Sequence, residues 1–445
     1  MNASPAAAEA TLIATPLRSA LLAGHANLVQ LLVRIQAPDW PSDQRRPRPP
    51  YGTSLVIDRS GSMRGTPLAE ALRCAGFMID RLDAGDQAAL VIFDQDVEVL
   101  KPLTPLSERQ ALRQALGRAQ VGGMTNLHGG WAAGAAELAR GEPALGLRRV
   151  ILLSDGQANE GVVDPLQICA DVARLAGQGV STSTYGLGRD FNEALMVDMA
   201  RAGCGSHYYA ASADDLLESF SDEFELLANL WVKGLSLRLR LAEGVSARLL
   251  NDYLPVAGTG NAWSLPDLAF GAEAWALLAL TVPAGLCTGP AAVTLGAFEF
   301  AGTAIDGAQV VLQSAPLALP VLPAAAYAAL AEDELVRRRM DELEAAALLK
   351  EARAAALNAD WTQVVALIAK ARARFDGNPW LAELLATMDQ LAGSRDEAGF
   401  AKEAYYSSMC MSRRLAGKDE SAMLDEGRKA AYLRRKPTQG KRSGP

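Results

Sequence analysis

The alternation of short apolar segments with helical segments between residues 53 and 232 constrains the fold most. The predicted strands are Ser54–Ile57, Ala88–Phe93, Val97–Leu100, Arg149–Leu153, Val180–Tyr185 and His207–Ala210. The predicted helices are Leu68–Leu82, Glu108–Leu116, Leu127–Ala139, Leu166–Ala176, Glu193–Ala202 and Ala213–Leu230. Nearly all-apolar strands separated by helices are typical of a mainly parallel sheet that is covered on both faces. We therefore predict a doubly wound α/β domain, whose ligand site would lie at the carboxyl ends of the strands.

The segment after this domain predicts a β-sandwich followed by helices. From Leu235 to Leu241 leucine alternates with polar residues, as in a half-buried antiparallel strand. The chain is rich in Ala, Leu, Glu and Arg from Ala324 onward, which favours helices. The other predicted strands are Ala262–Phe270, Ala274–Val282, Val293–Phe300 and Val310–Leu312, and the predicted helices are Glu332–Leu357, Trp361–Phe375, Pro379–Leu391 and Asp396–Leu415.

A chain of 445 residues is long enough for about three domains. Two N-terminal apolar stretches, Ala10–Thr15 and Leu28–Ile35, have no sheet of their own to complete, so we predict that they join the sandwich. A Pro-rich linker, Pro41–Pro50, follows them and cannot be helical. The predicted parts are residues 1–51 (N-terminal strands and linker), 52–230 (α/β domain), 231–322 (β-sandwich), 323–436 (α-helical domain) and 437–445 (disordered basic tail).

Composition excludes several classes of protein. Hydrophobic residues make up 50% and charged residues 21% of the chain, as in folded globular proteins. A net charge of −8 argues against binding nucleic acid through overall charge. No apolar run reaches the roughly 18–20 residues that a membrane span needs, and no secretory signal is recognisable. The five scattered cysteines form no CxxC pair, so we expect neither a disulfide framework nor a zinc site. We therefore also expect a cytoplasmic location.

Three loops at predicted strand or helix ends carry oxygen-bearing side chains. The segment Asp58-Arg59-Ser60-Gly61-Ser62-Met63 follows the first buried strand directly. Ser154-Asp155-Gly156 ends a second strand, and the loop 122–127 offers Thr125 just before a helix. Hydroxyls and carboxylates are hard ligands that suit Mg²⁺ or Mn²⁺ better than zinc. The pattern therefore predicts a cation site at the carboxyl edge of the sheet.

These three motifs, in this order and spacing, resemble the metal-ion-dependent adhesion site of the von Willebrand factor type A domain, over roughly residues 52–230. The resemblance implies the metal ligands Asp58, Ser60, Ser62, Thr125 and Asp155. It implies Mg²⁺, or alternatively Mn²⁺, with Ca²⁺ less suited. It also implies a non-enzymatic binding module, in which an acidic group of a partner protein completes the metal shell. The order of the predicted domains resembles bacterial proteins of this kind and inter-alpha-trypsin-inhibitor-like proteins.

Other titratable residues near these loops have simpler interpretations. His128 lies three residues after Thr125 and could approach the site, but we interpret it as structural or exposed. Asp94 and Asp96 follow a strand, and we interpret them as part of a solvated turn rather than as a calcium site.

Two alternative functions remain from the sequence. A Mg²⁺-dependent phosphatase-like enzyme would need a second carboxylate as general acid where Ser60 stands. A scaffold would bind its partners through the sandwich, the helices or the tail, independently of metal. The phosphate-binding motif of nucleotide-driven motors is absent, so any ATPase that works with this protein would be a separate chain.

Overall fold

The computed structural model describes residues 10–39, 49–141, 145–187, 192–210, 213–256, 258–375, 378–413 and 415–417. The described residues divide into two compact units. The first unit comprises those within Met1–Ser42, Leu230–Ala304 and Ala308–Thr438, and the second those within Asp43–Asn229 and Ile305–Gly307. Most of the predicted Pro-rich linker and all of the predicted basic tail lie outside the described residues. The predicted domain boundaries stay predictions.

The secondary structure is numbered in chain order. The strands are β1 (Thr11–Pro16), β2 (Leu21–Leu22), β3 (Asn27–Gln36), β4 (Tyr51–Asp58), β5 (Gln87–Phe93), β6 (Val97–Pro105), β7 (Leu147–Ser154), β8 (Val180–Leu187), β9 (Cys204–Ala210), β10 (Leu230–Leu241), β11 (Ser246–Leu249), β12 (Leu254–Pro255), β13 (Ala262–Ser264), β14 (Leu268–Ala269), β15 (Ala272–Val282), β16 (Val293–Ala304), β17 (Gln309–Gln313), β18 (Leu317–Leu319), β19 (Val321–Leu322) and β20 (Ala416–Gly417). The helices are α1 (Thr66–Arg81), α2 (Arg109–Leu116), α3 (Leu127–Arg140), α4 (Pro165–Ala176), α5 (Glu193–Ala202), α6 (Ala213–Ala228), α7 (Ala324–Ala328), α8 (Glu334–Leu357), α9 (Trp361–Arg374), α10 (Pro379–Ser394) and α11 (Glu397–Arg413).

The second unit is built on one sheet with the strand order β6-β5-β4-β7-β8-β9. All neighbours in it are parallel except the edge strand β6, which runs antiparallel to β5. The first strand, β4, lies between β5 and β7, with Leu55 opposite both Leu90 and Ile151. The prediction of a doubly wound, mainly parallel sheet is confirmed.

Helices cover both faces of this sheet because side chains alternate along each strand. Leu55 and Ile57 of β4 point to a core shared with α1, α2 and α6, whereas Val56 points to a core shared with α3, α4 and α5. All of β4 is therefore buried, including its last residue, Asp58. Full burial of each Leu or Ile contributes about 1.5–3 kcal/mol to the free energy of unfolding, so β4 is fixed firmly.

The first unit contains two antiparallel sheets and a helical region. One sheet has the order β1-β3-β15-β11, with β20 paired to β15. The other has the order β12-β13-β10-β16-β17, with β14 paired to β10 and β18 to β16. The N-terminal strand β3 pairs with β15 along its whole length, from Gln36 opposite Glu273 to Asn27 opposite Val282.

The helical region predicted for the C-terminal part is confirmed. Helices α8 to α11 share one apolar core. Val336 of α8 packs with Trp275 and Leu277 of β15, and the Arg339 guanidinium lies 4.5 Å from the centre of the Trp275 ring. In the part of the chain that the structure describes, no helix is both long enough and apolar enough to cross a membrane.

Two predicted elements differ from the observed ones. The helix predicted to run to Leu230 ends at Ala228, where the Asn229 amide donates to the carbonyls of Glu225 and Leu226. Leu230 instead begins β10, because it pairs with Ala269 of β14. The strand predicted over Ala262–Phe270 is interrupted between β13 and β14, where Pro266 has no backbone donor for a sheet.

Candidate metal centre

Asp58 stands at the carboxyl end of β4 with 0% of its surface exposed. The Ser60 amide donates to its Oδ1 at 2.8 Å, and the Ser154 hydroxyl donates to its Oδ2 at 2.5 Å. The pKa of Asp58 is raised to about 6, chiefly by burial and also by the negative charge of Asp155, against the lowering effect of these hydrogen bonds. Among the described residues, no Lys, Arg or His side chain pairs with Asp58 or with Asp155. No described side chain therefore neutralises the charge of this buried carboxylate.

The two serines that follow Asp58 lie on a short turn. A single 3-10 turn, Gly61–Met63, begins directly after Ser60 and is anchored by the fully buried Met63. Ser60 is buried while Ser62 is exposed, and their hydroxyl oxygens lie 3.1 Å apart. This turn therefore places two hydroxyls side by side next to the carboxylate, with one of them open to solvent.

Thr125 lies between the loops that follow β4 and β7. The Gly122 amide donates to the Arg59 carbonyl at 2.7 Å, and the Gly61 amide donates to the Gly123 carbonyl at 2.8 Å. On the other side, the Thr125 amide donates to Asn159 Oδ1 at 2.7 Å. Thr125 is only 2% exposed, so this loop is fixed on both sides.

Asp155 directly follows β7, which is the neighbour of β4 in the sheet. Its carbonyl accepts a hydrogen bond from the Asn192 amide at 2.7 Å, and its Oδ1 accepts one from the Gln157 amide at 3.3 Å. The next residue, Gly156, has φ +68°, and a Cβ there would lie 2.7 Å from Met196 Cγ. The turn after Asp155 therefore requires glycine.

The structure thus brings the three predicted loops to one edge of the sheet. The predicted ligand residues in these loops are Asp58, Ser60, Ser62, Thr125 and Asp155. Their side chains offer oxygen atoms only, which is the chemistry that Mg²⁺ and Mn²⁺ prefer. Within the described ranges, no group of three or more His, Cys, Asp and Glu side chains is arranged to hold a metal. Any cation at this edge would therefore depend on hydroxyls as well as carboxylates.

The histidines lie away from these loops or serve packing. His128 Nε2 lies 3.2 Å from Asp171 Oδ2 of α4, and its ring is 5.7 Å from that of Trp131. His207 is buried, and burial lowers its pKa to about 3. The Thr184 hydroxyl donates to the Met196 carbonyl, so it must accept the hydrogen bond at 2.8 Å from His207 Nδ1. His207 is therefore neutral and carries its proton on Nδ1.

The interpretation of Asp94 as a residue of a solvated turn was wrong. Asp94 is 3% exposed, and its carboxylate contacts Arg59 and the Gly123 amide. Asp96, in contrast, is exposed as expected. The sequence signal that could have revealed this contact is the pair Gly122-Gly123, because adjacent glycines allow another chain segment to approach the backbone closely.

Residues 54–223 match the sequence profile of the von Willebrand factor type A domain. The uncharacterized protein sll0103 of Synechocystis sp. is 27% identical over 202 residues, which is 45% of this chain and 47% of that protein. Inter-alpha-trypsin inhibitor heavy chain H3 of Homo sapiens is 30% identical over 192 residues, which is 40% of this chain and 22% of that protein. The chain thus spans less than half the length of either relative.

Two solved structures have a similar fold over most of the chain. The von Willebrand factor type A protein of Catenulispora acidiphila has a TM-score of 0.63 at 16% identity, covering 84% of this chain and 89% of that one. The ArnB paralog VWA2 of Sulfolobus acidocaldarius has a TM-score of 0.57 at 18% identity, covering 90% and 99%. The chain therefore contains a von Willebrand factor type A domain at residues 54–223.

Proposed function

We propose that the chain is a metal-dependent protein-interaction module. Its von Willebrand factor type A domain would bind a Mg²⁺-type cation through Asp58, Ser60, Ser62, Thr125 and Asp155. A carboxylate of a partner protein would complete the cation's shell. The single observation that carries the proposal is that Asp58 is a fully buried carboxylate beside a second carboxylate, and that no cationic side chain in the described part of the chain pairs with it.

The residues fit such a cation chemically. Desolvation of an ionised carboxylate is costly unless a positive charge compensates it. Asp58 already accepts two hydrogen bonds, yet its pKa stays raised to about 6. A dication would offset this penalty, and Mg²⁺ is a hard cation that binds oxygen ligands. Mn²⁺ would suit the same donors, whereas Ca²⁺ is larger and takes more oxygen ligands than Mg²⁺, so this small donor set suits it less.

Each residue has a distinct part in this proposal. Asp58 and Asp155 would supply negative charge, and the buried hydroxyls of Ser60 and Thr125 would orient the cation without adding charge. Ser62 is exposed, so it would lie nearest to an arriving partner. When bound, the cation would supply an electrophilic position for a partner oxygen.

The proposed partner is a protein that presents an Asp or Glu side chain. Domains of this family commonly serve as protein-interaction modules. We propose a binding role without catalysis, because Ser60 occupies the position where a phosphatase-like mechanism needs a general acid. We also propose a cytoplasmic location, since all five cysteines are among the described residues and no disulfide joins them. Any ATPase that works with this protein would be a separate chain.

A pull-down from cell extract tests this function. The bait would be the wild-type chain with Mg²⁺, the wild-type chain with EDTA, and Asp58→Ala with Mg²⁺. We expect a partner that binds only to the first bait, while circular dichroism shows that Asp58→Ala stays folded. Asp96→Ala is the matched control, because it removes an exposed carboxylate from a nearby turn and should retain the partner. A partner that binds all four baits equally would contradict the proposal and favour the metal-independent scaffold.

A further inference from the structure

The carboxylate of Asp94 lies behind the loop Gly122–Asn126, which we call the Thr125 loop. Asp94 follows β5 directly and is almost fully buried. Its Oδ2 accepts a hydrogen bond from the Gly123 amide at 3.2 Å. Its Oδ1 lies 3.2 Å from Arg59 Nη2 and accepts the Asp96 amide at 3.0 Å. The carboxylate is therefore bound to the Thr125 loop, to its own turn and to the residue that follows Asp58.

Residues 94 and 95 accept most of the backbone amides of the Thr125 loop. The Gly123 amide donates to the Asp94 carboxylate and the Asn126 amide to the Asp94 carbonyl, the latter at 2.8 Å. The Met124 amide donates to Gln95 Oε1 at 3.1 Å. The amides on both sides of Thr125 thus depend on the end of β5, which fixes where the Thr125 hydroxyl lies.

The glycines of the loop make this contact possible. A Cβ at Gly122 would lie 1.6 Å from Asp94 Oδ2, and a Cβ at Gly123 would lie 2.2 Å from Gln95 Oε1. Neither glycine has a positive φ, so the backbone conformation by itself does not require glycine here. The close approach of the Asp94 carboxylate is what excludes a side chain.

Arg59 joins the same contacts to the loop that follows β4. Its amide donates to the Phe93 carbonyl at 2.8 Å, and its carbonyl accepts the Gly122 amide at 2.7 Å. Its guanidinium pairs with Asp94. One buried carboxylate therefore holds the loop that carries Thr125 in register with the loop that carries Ser60 and Ser62.

We propose that Asp94 is a positioning residue of the metal centre: it touches no predicted ligand side chain but places the Thr125 loop, and so sets the affinity for the cation. This inference rests on the proposed function. Residues that orient metal ligands from behind typically change metal affinity by about 10–100-fold when they are replaced. Asp94 acts through hydrogen bonds to backbone amides, so a replacement that cannot accept them should loosen the loop.

Two variants distinguish the effect of placing the Thr125 loop from the effect of the Asp94 charge. Asp94→Asn keeps the size of the side chain but replaces one acceptor oxygen with a donor. It therefore cannot satisfy Gly123, Arg59 and Asp96 together. Gly122→Ala keeps every charge and pushes the carboxylate away from the loop. Asp96→Asn is the matched control. It removes the same charge, but from an exposed side chain two residues after Asp94.

Isothermal titration of the full chain with MgCl₂ tests the proposal, with circular dichroism as the check on folding. We expect Asp94→Asn to weaken the Kd by about 10–100-fold, Gly122→Ala to weaken it clearly, and Asp96→Asn to change it by less than about threefold. If Asp94→Asn does not fold, Gly122→Ala decides. Wild-type Kd values for both Asp94→Asn and Gly122→Ala would overturn the positioning role alone. An equal loss in Asp96→Asn would also overturn it, because the effect would then be one of general charge. Absence of binding by the wild-type chain would overturn the proposed function as well.

Discussion

Two buried carboxylates in the same unit, those of Glu223 and Asp58, differ in their hydrogen-bond donors. Glu223 of α6 accepts hydrogen bonds from Arg149 at 2.5 Å, from the Ser183 hydroxyl at 2.8 Å and from the Tyr208 hydroxyl at 3.0 Å. Asp58, at the carboxyl edge of the same sheet, accepts hydrogen bonds from the described residues only through neutral donors, the Ser60 amide and the Ser154 hydroxyl. Both are completely buried. Among the described residues, Arg149 supplies the positive charge beside Glu223, whereas no cationic side chain pairs with Asp58.

The difference follows from position in the α/β fold. Arg149 lies near the start of β7, where its side chain can reach the helix that covers the sheet. Asp58 lies at the end of β4, at the carboxyl edge where open parallel sheets generally bind their ligands. Among the described residues, the charge of Glu223 is thus paired beneath the covering helix, whereas at the carboxyl edge Asp94 pairs with Arg59 and Asp58 pairs with no cationic side chain.

Removing the internal partner of Glu223 should have the largest effect. Arg149→Met would leave Glu223 buried without a countercharge, which typically costs about 3–5 kcal/mol in the free energy of unfolding. Arg148→Met is the matched control on the same strand, because Arg148 is only half-buried and forms no ion pair among the described residues. Urea unfolding measures both. If Arg149→Met lowered the free energy of unfolding by less than about 1 kcal/mol, the expectation would be contradicted, because Glu223 would then be stable without its partner.

A smaller effect should come from His207, a buried group that is neutral in the folded protein. Burial lowers its pKa to about 3, below the unfolded value of 6.5, so the folded protein binds this proton less readily than the unfolded chain. The contribution is fully present above pH 6.5 and is lost as the pH falls toward 3. The loss of stability between pH 7 and pH 5 should amount to about 2 kcal/mol.

Unfolding measured by denaturant from pH 7 to pH 5 checks this prediction. In His207→Phe, the free energy of unfolding should depend less on pH, because the contribution of His207 is gone. In His25→Phe, which replaces an exposed histidine, the pH dependence should stay as in the wild type. An unchanged slope in His207→Phe would show that other groups govern the acid response. It would also show that a protonated His207 is tolerated in the interior at a smaller cost in stability than we expect.

Much of the α/β unit was predictable because its signals are local. Buried strands such as Ala88–Phe93 are uninterrupted apolar runs, and helix starts such as Asn126 and Asn192 carry side chains that accept amides of the first turn. The loop motifs that end in Ser62 and Asp155 are also local, so the sequence alone could nominate the candidate site. The prediction of the Leu230 boundary failed because Leu230 continues an apolar helical run, and only its pairing with Ala269 makes it a strand.

The burial and contacts of Asp94 could not be predicted from its neighbours in the sequence. An acidic residue after a strand is usually solvated in a turn. Its burial depends on Arg59 and on Gly122 and Gly123, which lie about 30 residues away on either side and meet it only in the folded sheet. Long-range contacts of this kind decide how a site is supported, whereas the motif only indicates where it lies.

The most direct test of the account is whether a divalent cation stabilises the chain through Asp58. Thermal unfolding would be followed with and without MgCl₂ for the wild-type chain, for Asp58→Asn, and for Asp96→Asn as the control with an exposed carboxylate. At tenfold excess over the Kd, binding to the folded state should add about 1.4 kcal/mol to the wild type and to Asp96→Asn, and almost nothing to Asp58→Asn. Equal stabilisation of all three, or none of the wild type, would show that Asp58 does not hold a cation and would contradict the account.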